Sequence, residues 1–431
     1  MYMLESHLNP DQNRAVEDVQ AAAGAANVNL FLTGGAMRDM LAGFRIRDLD
    51  FVVEGNALKV AKAVCDRTGA KAVHTDEHRK AMELVFPTGV TVQIAMSRQE
   101  KYPRNGGKST VSQATIQDDL RGRDFTCNAI ALSLNRASRG LLLDPMNGLA
   151  DIERRELRAV ATYGFYDDPS RLLRLVRLAA RMGYTVEERT RMQVANAREA
   201  EVEKRISART LGDELRRIST EEHPGEIVKG LEEAGLLSLF SPALSAKMNA
   251  QGLAKFDKIL AIVPDDARWR VSRLGTFLYV LTEKLTPKDK LALIKSTEMP
   301  KADVNEWQKL EARAKKLESA LKSARIKKAS QVYQIVAPTP PEEILFTLYH
   351  SALKPVQERL RNHFGKYLQQ IAEITPEEWA TIPGQPGTPK YAKAREEFIT
   401  KRLDRRVKKV VEEPPPPPPP MQEAVAGRRG R

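Results

Sequence analysis

The spacing of apolar residues changes about one third of the way along the chain. Before residue 151, short apolar runs that are typical of strands alternate with helical segments. The tripeptide Pro87-Thr88-Gly89 separates two such runs and predicts a hairpin. We therefore expect an α/β head with a small, mostly antiparallel sheet. The predicted strands are residues 30–32, 49–53, 82–86, 90–94, 129–134 and 140–143.

After Asp151 the apolar residues recur at helical spacing, and no convincing strand is found beyond about residue 160. The remainder is therefore predicted to be helical. The final segment, residues 401–431, combines a basic run with seven consecutive prolines and is predicted to be disordered. The predicted helices are residues 171–182, 208–218, 227–239, 287–295 and 302–322.

Composition narrows the classes of protein that this chain can represent. Its 431 residues suffice for two or three domains, and a net charge of +13 suits an acidic partner such as nucleic acid or a nucleotide. The two cysteines exclude a disulfide scaffold and a four-thiolate zinc site. No apolar run is long enough to cross a membrane, and the N-terminus does not resemble a signal peptide. We therefore expect a cytoplasmic protein without a membrane partner.

The first motif combines a glycine turn with two aspartates. Gly34 and Gly35 follow a predicted strand, and their small size lets backbone amides approach a phosphate at the start of a helix. Arg38, one turn into that helix, can contact the same anion. Asp48 and Asp50 lie on one side of the next strand, and two such carboxylates can converge on Mg²⁺. The alternative is an ordinary turn followed by a solvated strand edge.

The second motif begins with the adjacent residues Arg123 and Asp124 and continues into a predicted strand. An arginine offers a fork of donors and an aspartate offers acceptors, so the pair suits a phosphate and a ribose hydroxyl together. The alternative is a surface loop closed by a salt bridge.

The third motif is a predicted helix with a basic face. Asp168 precedes Pro169 and is a good N-cap, with proline at the first helical position. Arg171, Arg174 and Arg177 recur every three residues and lie on neighbouring parts of one face. Asp168 and Arg171 can present an acceptor and a donor fork to the edge of a base, while the arginines hold a triphosphate or an RNA backbone. The alternative is a capped amphipathic helix whose basic side faces water.

Taken in this order, the three motifs resemble the class II tRNA nucleotidyltransferase (CCA-adding enzyme) and bacterial poly(A) polymerase family, a branch of the polymerase-β-like nucleotidyltransferases. The resemblance covers residues from about 28 to 185 and becomes vague beyond about 220. It implies an α+β fold, in which a head with a small mixed sheet precedes an all-α neck and body. The implied domains are a catalytic head (1–150), a neck that recognises the base (151–220), a body and tail that bind RNA (221–400) and the basic, proline-rich end (401–431).

The resemblance also implies roles for individual residues. Asp48 and Asp50 would be catalytic and bind Mg²⁺, while Asp168 and Arg171 would read the edge of C or A, so that the protein itself serves as the template. The implied reaction is attack of an RNA 3′-hydroxyl on the α-phosphate of CTP or ATP, which releases pyrophosphate. The implied nucleotide-binding residues are Gly34, Gly35, Arg38, Arg123, Asp124, Asp168, Arg171, Arg174 and Arg177.

The leading hypothesis is thus a Mg²⁺-dependent enzyme that adds C, A or both to the 3′ end of tRNA. A poly(A) polymerase is the alternative within enzymes, because its motifs are nearly the same. A catalytically weakened RNA-binding homologue is the alternative of another class, because Gln93 stands where the family usually has a carboxylate. The segment 206–215 also lacks the Glu-Arg pair common in the family, although Glu214 is present, which leaves selectivity between C and A open.

Overall fold

The head is built around one mixed sheet. A computed structural model describes residues 2–103 and 109–405. Its strands in the head are β1 (Asn29–Thr33), β2 (Leu49–Glu54), β3 (Lys71–Asp76), β4 (Ala81–Val85), β5 (Thr91–Met96), β6 (Arg98–Lys101), β7 (Thr110–Gln113), β8 (Ala131–Ser133) and β9 (Leu142–Leu143). Seven of them form a sheet in the order β3-β4-β5-β2-β1-β8-β9, and β6 pairs with β7. The large sheet contains one parallel pair, β2 with β5, and its other described pairs are antiparallel, which confirms the prediction of a small mixed sheet.

Helices cover this sheet and connect its strands. The helices of the head are α1 (Tyr2–His7), α2 (Pro10–Ala25), α3 (Gly34–Ala42), α4 (Ala57–Thr68), α5 (Ile116–Arg121) and α6 (Gly148–Arg154). The N-terminus of α2 is fixed by a capping box between Asn9 and Gln12, with Pro10 at the first helical position. Glycines in the left-handed region end α3 at Gly43 and α4 at Gly69.

Alternation along β2 separates the apolar core from the face that carries the acids. Leu49, Phe51 and Val53 belong to the core that also contains the buried side chains of α2 and α4. Val52 points to the opposite face and packs in a smaller cluster with the side chains of α5. Asp50 shares that second face, because successive side chains of a strand alternate. The start of β2 therefore presents a carboxylate beside an otherwise buried sheet.

The neck and body are mainly helical. The helices beyond the head are α7 (Gly164–Asp167), α8 (Arg171–Met182), α9 (Glu188–Glu199), α10 (Ala208–Ser219), α11 (Pro224–Glu233), α12 (Ala250–Leu260), α13 (Ala267–Val271), α14 (Arg273–Thr282), α15 (Pro287–Ser296), α16 (Lys301–Leu321), α17 (Ala329–Val336), α18 (Pro341–His350), α19 (Lys354–Asn362), α20 (Leu368–Ala372), α21 (Pro376–Ala380) and α22 (Pro389–Asp404). Among the residues that the structure describes, no helix is long and apolar enough to cross a membrane.

The structure corrects the prediction that no strand follows residue 160. A two-residue strand, β11 (Thr185–Val186), pairs in parallel with β10 (Glu156–Leu157). Gly183 ends α8 in the left-handed region, and the chain then turns back beside β10. Two residues are too few for a period-two pattern to be detected in a sequence.

Three predicted boundaries also change. The predicted helix at 171–182 is confirmed as α8, but its N-cap is Ser170 rather than Asp168, because the chain first makes a tighter turn in which Asp168 accepts hydrogen bonds from Ser170. The predicted helix at 227–239 ends at Glu233, and Gly235 lies in the left-handed region. Lys401–Asp404, predicted to be disordered, complete α22, where Leu403 is buried; the predicted tail from 406 onward lies outside the described residues.

Candidate active site

The glycine turn and the second aspartate form one unit. Because β1 and β2 are antiparallel, Thr33 at the end of β1 lies beside Asp50. Helix α3 starts at once after Thr33, and the backbone N–H of Gly35 donates to Asp50 Oδ2 at 2.9 Å. Gly34 has a φ of +63°, and a Cβ there would lie 3.1 Å from Asp50 Oδ2 and 3.3 Å from Arg123 Nη1. Glycine is thus required here by backbone conformation and by the close approach of two charged side chains.

The two aspartates of the first motif interact, and the effect on Asp50 is large. Burial, followed by the negative charge of Asp48, raises the pKa of Asp50 to about 6, against the opposing effects of Arg123 and the Gly35 N–H. Asp48 is more open to solvent, with 51% of its side chain exposed, and its Oδ1 accepts from Arg270 Nη1 at 3.2 Å. The positive charge around this pair therefore does not offset the cost of holding both carboxylates ionised.

The chemistry of this pair fits a magnesium ion. Mg²⁺ prefers oxygen ligands and commonly takes one or two carboxylates together with substrate phosphates, rather than a complete cage of protein ligands. Asp48 and Asp50 supply two such carboxylates, and within residues 2–103 and 109–405 no cluster of three acidic, histidine or cysteine side chains is arranged to hold a metal. A cation at this pair would also remove the repulsion that raises the pKa of Asp50.

The second motif forms a chain of charges beside the glycine turn. The guanidinium of Arg123 donates from Nε to Asp119 Oδ1 at 2.9 Å and from Nη2 to Thr33 Oγ1 at 3.3 Å. Asp124 accepts from Asn128 Nδ2 at 3.0 Å and from Arg174 Nε at 2.7 Å. Although burial opposes its ionisation, Arg174 and Asn128 hold the pKa of Asp124 well below its usual range. The structure thus brings the second and third motifs together through Asp124 and Arg174.

The residues predicted to read a base lie at the start of α8. Arg171 donates to the backbone carbonyls of Arg123 (3.3 Å) and Gly122 (3.1 Å), and its side chain lies 3.9 Å from the Asp168 carboxylate. Gly164 makes room for this guanidinium, since a Cβ there would lie 2.9 Å from Arg171 Nη1. Asp168 keeps 30% of its side chain exposed. The pair is therefore held against the loop that carries Arg123, with Asp168 facing solvent.

Two predicted nucleotide-binding arginines are buried and fully engaged with other side chains. Arg38 donates to Asp39 Oδ1 at 2.9 Å and to Asn128 Oδ1 at 2.8 Å, beneath the glycine turn. Arg177 donates to Glu214 Oε1 at 2.6 Å and to Glu221 Oε1 at 3.1 Å, with 10% of its side chain exposed. In this arrangement Arg177 supports the neck, whereas Arg38 Nη2 stays next to the glycine turn, 3.6 Å from the place of a Cβ on Gly35.

The structure places Gln93 beside the first motif. β5 pairs in parallel with β2, and Gln93 is the partner of Asp50 in this register. Its neighbours Val92 and Ile94 point into the core, so Gln93 lies on the face of Asp50 and is exposed there. The neutral amide that departs from the family pattern thus occupies the position next to the candidate catalytic carboxylate.

Some charged partners of the site were missed in the sequence. Arg270, which lies in α13, reaches Asp48 from 222 residues away along the chain, and no local pattern predicts such a contact. Asp119 holds Arg123 from four residues earlier in the sequence. That spacing is a recognisable helical pair, so Asp119 was open to prediction from the sequence.

Known proteins that resemble this chain include tRNA nucleotidyltransferases. Residues 30–158 match the poly A polymerase head domain. The chain is 25% identical over 420 residues to the A-adding tRNA nucleotidyltransferase of Geobacter sulfurreducens, an alignment that covers 94% of this chain and 46% of that protein. It is 35% identical over 244 residues to the CC-adding tRNA nucleotidyltransferase of Deinococcus radiodurans, which covers 56% of this chain and 63% of that relative. The chain thus spans less than two thirds of the length of either relative.

A solved structure supports the same conclusion about the fold. A CCA-adding enzyme in complex with ATP superposes with a TM-score of 0.53 and 25% sequence identity, covering 94% of this chain and 92% of that one. The family resemblance inferred from the three motifs is therefore confirmed, and so is the predicted fold of a mixed-sheet head followed by a helical neck and body.

Proposed function

We propose, for a chain whose residues 30–158 are a poly A polymerase head domain, that the protein is a template-independent nucleotidyltransferase. It adds C, A or both from CTP and ATP to the 3′ end of tRNA and releases pyrophosphate. The observation that carries this proposal is the pair Asp48 and Asp50, held without full charge compensation beside the N-terminus of α3. An acid such as Asp50, whose pKa is raised by its surroundings, is typical of sites that bind a cationic or reacting partner.

The site residues have separate tasks in this proposal. The backbone at Gly34 and Gly35 approaches the triphosphate. Arg123, whose Nη1 lies 3.3 Å from the place of a Cβ on Gly34, adds positive charge to the same region. Arg123 and Asp124 hold the sugar and phosphate of the incoming nucleotide, and Arg174, which pairs with Asp124, supports nucleotide binding. Asp168 and Arg171 present an acceptor and a donor fork to the base, so that C and A are distinguished by hydrogen bonds to protein side chains.

Asp48 and Asp50 would hold the magnesium ions. Bound there, the metal neutralises charge that develops on the phosphate and favours the ionised form of the attacking hydroxyl. The chain itself orients the two carboxylates through the Gly35 N–H and the Arg270 guanidinium. In the free protein the two carboxylates repel each other, whereas both would be attracted to a cation bound between them. The arrangement therefore favours the metal-bound form.

An incorporation assay tests the proposal. Purified protein is incubated with Mg²⁺, labelled ATP or CTP, and tRNAs that end before CC, after CC or after CCA. We expect one to three additions on the truncated tRNAs and none on the complete end. The same reaction with Asp48→Ala and Asp50→Ala serves as the control. Absence of incorporation by the wild type under all three conditions would contradict the proposal.

A second candidate function is favoured by Gln93. Because the residue beside Asp50 is a neutral amide, the chain lacks a proton acceptor at this position, and a weakened homologue that only binds RNA is a consistent alternative. Retained tRNA binding together with no incorporation above the double-aspartate control would support it. Long A tracts on RNAs other than tRNA would instead identify a poly(A) polymerase.

A further inference from the structure

A row of polar side chains crosses three strands at the site. Asp50 on β2 pairs with Gln93 on β5, and Gln93 in turn pairs with Glu83 on β4. Residues that are directly opposite on neighbouring strands project to the same face of a sheet. Glu83 therefore shares the face of Asp50, two strands away, or about 10 Å between Cα atoms from twice the usual strand spacing. This places a carboxylate immediately next to the glutamine that replaces one.

The pattern of burial along β4 agrees with this placement. Leu84 is fully buried, and it pairs with the core residue Val92 of β5. Glu83 is half-buried and points to the other face. The face on which it lies continues toward the neck, because Arg217 of α10 is among the charged groups that act on the Glu83 carboxylate.

Among the described residues, the charge of Glu83 is only partly compensated, by His74, its partner on β3, and by Arg217. Across residues 2–103 and 109–405, no hydrogen bond or ion pair to its carboxylate is found. Burial and then the negative charge of Asp48 raise the pKa of Glu83, against weaker opposing effects of His74 and Arg217. Its electrostatic environment thus resembles that of Asp50 and differs from that of Glu100 on β6, whose pKa Arg98 and Arg79 lower to about 2 in spite of burial.

We propose that Glu83 is a catalytic residue that supplies, from the neighbouring strand, the carboxylate function that Gln93 cannot supply. This inference rests on the proposed nucleotidyl transfer. The Glu83 carboxylate accepts the proton of the RNA 3′-hydroxyl while that oxygen forms a bond to the α-phosphorus. The bond between the α-phosphorus and the bridging oxygen of pyrophosphate breaks, and pyrophosphate leaves with the electron pair. Glu83 is partly exposed and returns its proton to solvent.

The alternative role for Glu83 is purely structural, as a surface acid that balances His74 and Arg217. The two roles differ in what an exchange of side chains between β4 and β5 should do. If the reaction needs one carboxylate at this point of the face, then a carboxylate at either of the paired positions 83 and 93 serves it. A structural contact with His74 and Arg217 would not be restored by an acid on β5.

The experiment uses the full-length chain and measures kcat and KM for ATP with a tRNA that ends in CC. We expect Glu83→Gln to lower kcat by about 100-fold, the scale of general base catalysis, with KM and tRNA affinity unchanged. The double variant Glu83→Gln, Gln93→Glu should have a kcat at least tenfold higher than that of Glu83→Gln, because it restores a carboxylate on the same face of the sheet. Glu77→Gln, the same change at an exposed residue of the β3–β4 turn, is the matched control and should equal the wild type.

Each outcome decides the assignment. An active wild type with kcat of Glu83→Gln within twofold would overturn the role of Glu83 and leave the proposed function standing. The role of Glu83 would also be overturned if Glu83→Gln lost activity and the double variant did not recover it. The same holds if the activity of Glu83→Gln fell in parallel with its melting temperature. If Glu83→Gln does not fold, Glu83→Asp replaces it, with a tenfold smaller kcat expected because the carboxylate is withdrawn by one methylene. A wild type that incorporates no nucleotide overturns the proposed function and this inference together.

Discussion

Two groups of carboxylates in this chain have opposite electrostatic surroundings. At the junction of head and neck, Glu221 faces Arg47, Arg181 and Arg177, and these arginines lower its pKa although burial opposes them. At the start of β2, burial and Asp48 raise the pKa of Asp50 to about 6. One group is neutralised by the protein itself, and the other is left for a partner to neutralise. Burial alone therefore does not determine whether a carboxylate is stabilised in its ionised form; the charges that surround it do.

The compensated group also has a geometric consequence. Arg181 of α8 pairs with Asp39 of α3, and Arg47 pairs with Glu221 at 3.1 Å. Helix α8 begins at Arg171, shortly after Asp168, and α3 carries the glycine turn, so these ion pairs fix the residues proposed to read the base relative to the proposed phosphate site. A protein that selects a base without a nucleic-acid template needs such rigidity, because a small displacement would exchange one hydrogen-bonding pattern for another.

The largest expected effect is on the uncompensated acids. Asp48→Ala or Asp50→Ala should lower incorporation by about 1,000-fold, because the loss of a metal ligand removes several kcal/mol of transition-state stabilisation. The measurement is the rate of labelled-nucleotide addition to truncated tRNA. Asp66→Ala, at an exposed position of α4, is the control and should keep the wild-type rate. Activity within tenfold of the wild type in both aspartate variants would show that this pair does not hold the metal.

The compensated group should respond in stability. Arg177→Met leaves buried Glu214 without its close partner and removes one of the three arginines that face Glu221, and we expect the free energy of unfolding to fall by about 3–5 kcal/mol. Urea denaturation followed by circular dichroism measures this change. Arg191→Met, at an exposed ion pair of α9, should cost less than about 1 kcal/mol. Equal effects of the two substitutions would show that the compensated group contributes no more to stability than an exposed ion pair does.

Base selection tests whether the rigid junction serves the proposed reading of C and A. Arg171→Ala should change the ratio of CTP to ATP incorporation by about tenfold or more, since a bidentate contact to a base contributes about 1–3 kcal/mol of discrimination. Initial rates with each nucleotide on a tRNA that ends before CC give the ratio, and Arg191→Ala is the control. An unchanged ratio would exclude Arg171 from base selection.

The smallest effect expected is a gain in folding stability when Asp50, a proposed catalytic residue, is replaced by a neutral side chain. Asp50 has a folded-state pKa of about 6 against an ordinary 3.8, so between these values the folded protein binds more protons and its stability falls as pH rises. Asp50→Asn removes this cost and should raise the free energy of unfolding at pH 7.5 by about 1–3 kcal/mol in the presence of a chelator. The advantage should vanish below pH 3.8, where the carboxyl is protonated in both states. If Asp50→Asn were less stable than the wild type at pH 7.5, the electrostatic cost assigned to the ionised Asp50 would be contradicted.

Much of the fold was predictable because it depends on neighbours in the sequence. The strands around residues 30–32 and 49–53 follow from short apolar runs, and α8 ends at Met182 as its periodicity indicates. The glycine turn was equally predictable, although the reason for Gly34 became clear only when Asp50 and Arg123 were found against it. The residue roles carried over from the family remain predictions. The motifs alone also did not indicate that Arg38 would bond to Asp39 or that Arg177 would bond to Glu214.

By itself, the amino-acid sequence determined the order of the three motifs, the strand that carries Asp50 directly after Asp48, and the neutral side chain at Gln93. The tertiary structure alone decided which charges are neutralised and which are not. Arg270 reaches Asp48 from a distant helix, and Glu83 becomes the neighbour of Gln93 only through the register of β4 and β5. The physical reason is that strand alternation and turn chemistry are local, whereas charge compensation depends on contacts between segments that are far apart in the chain.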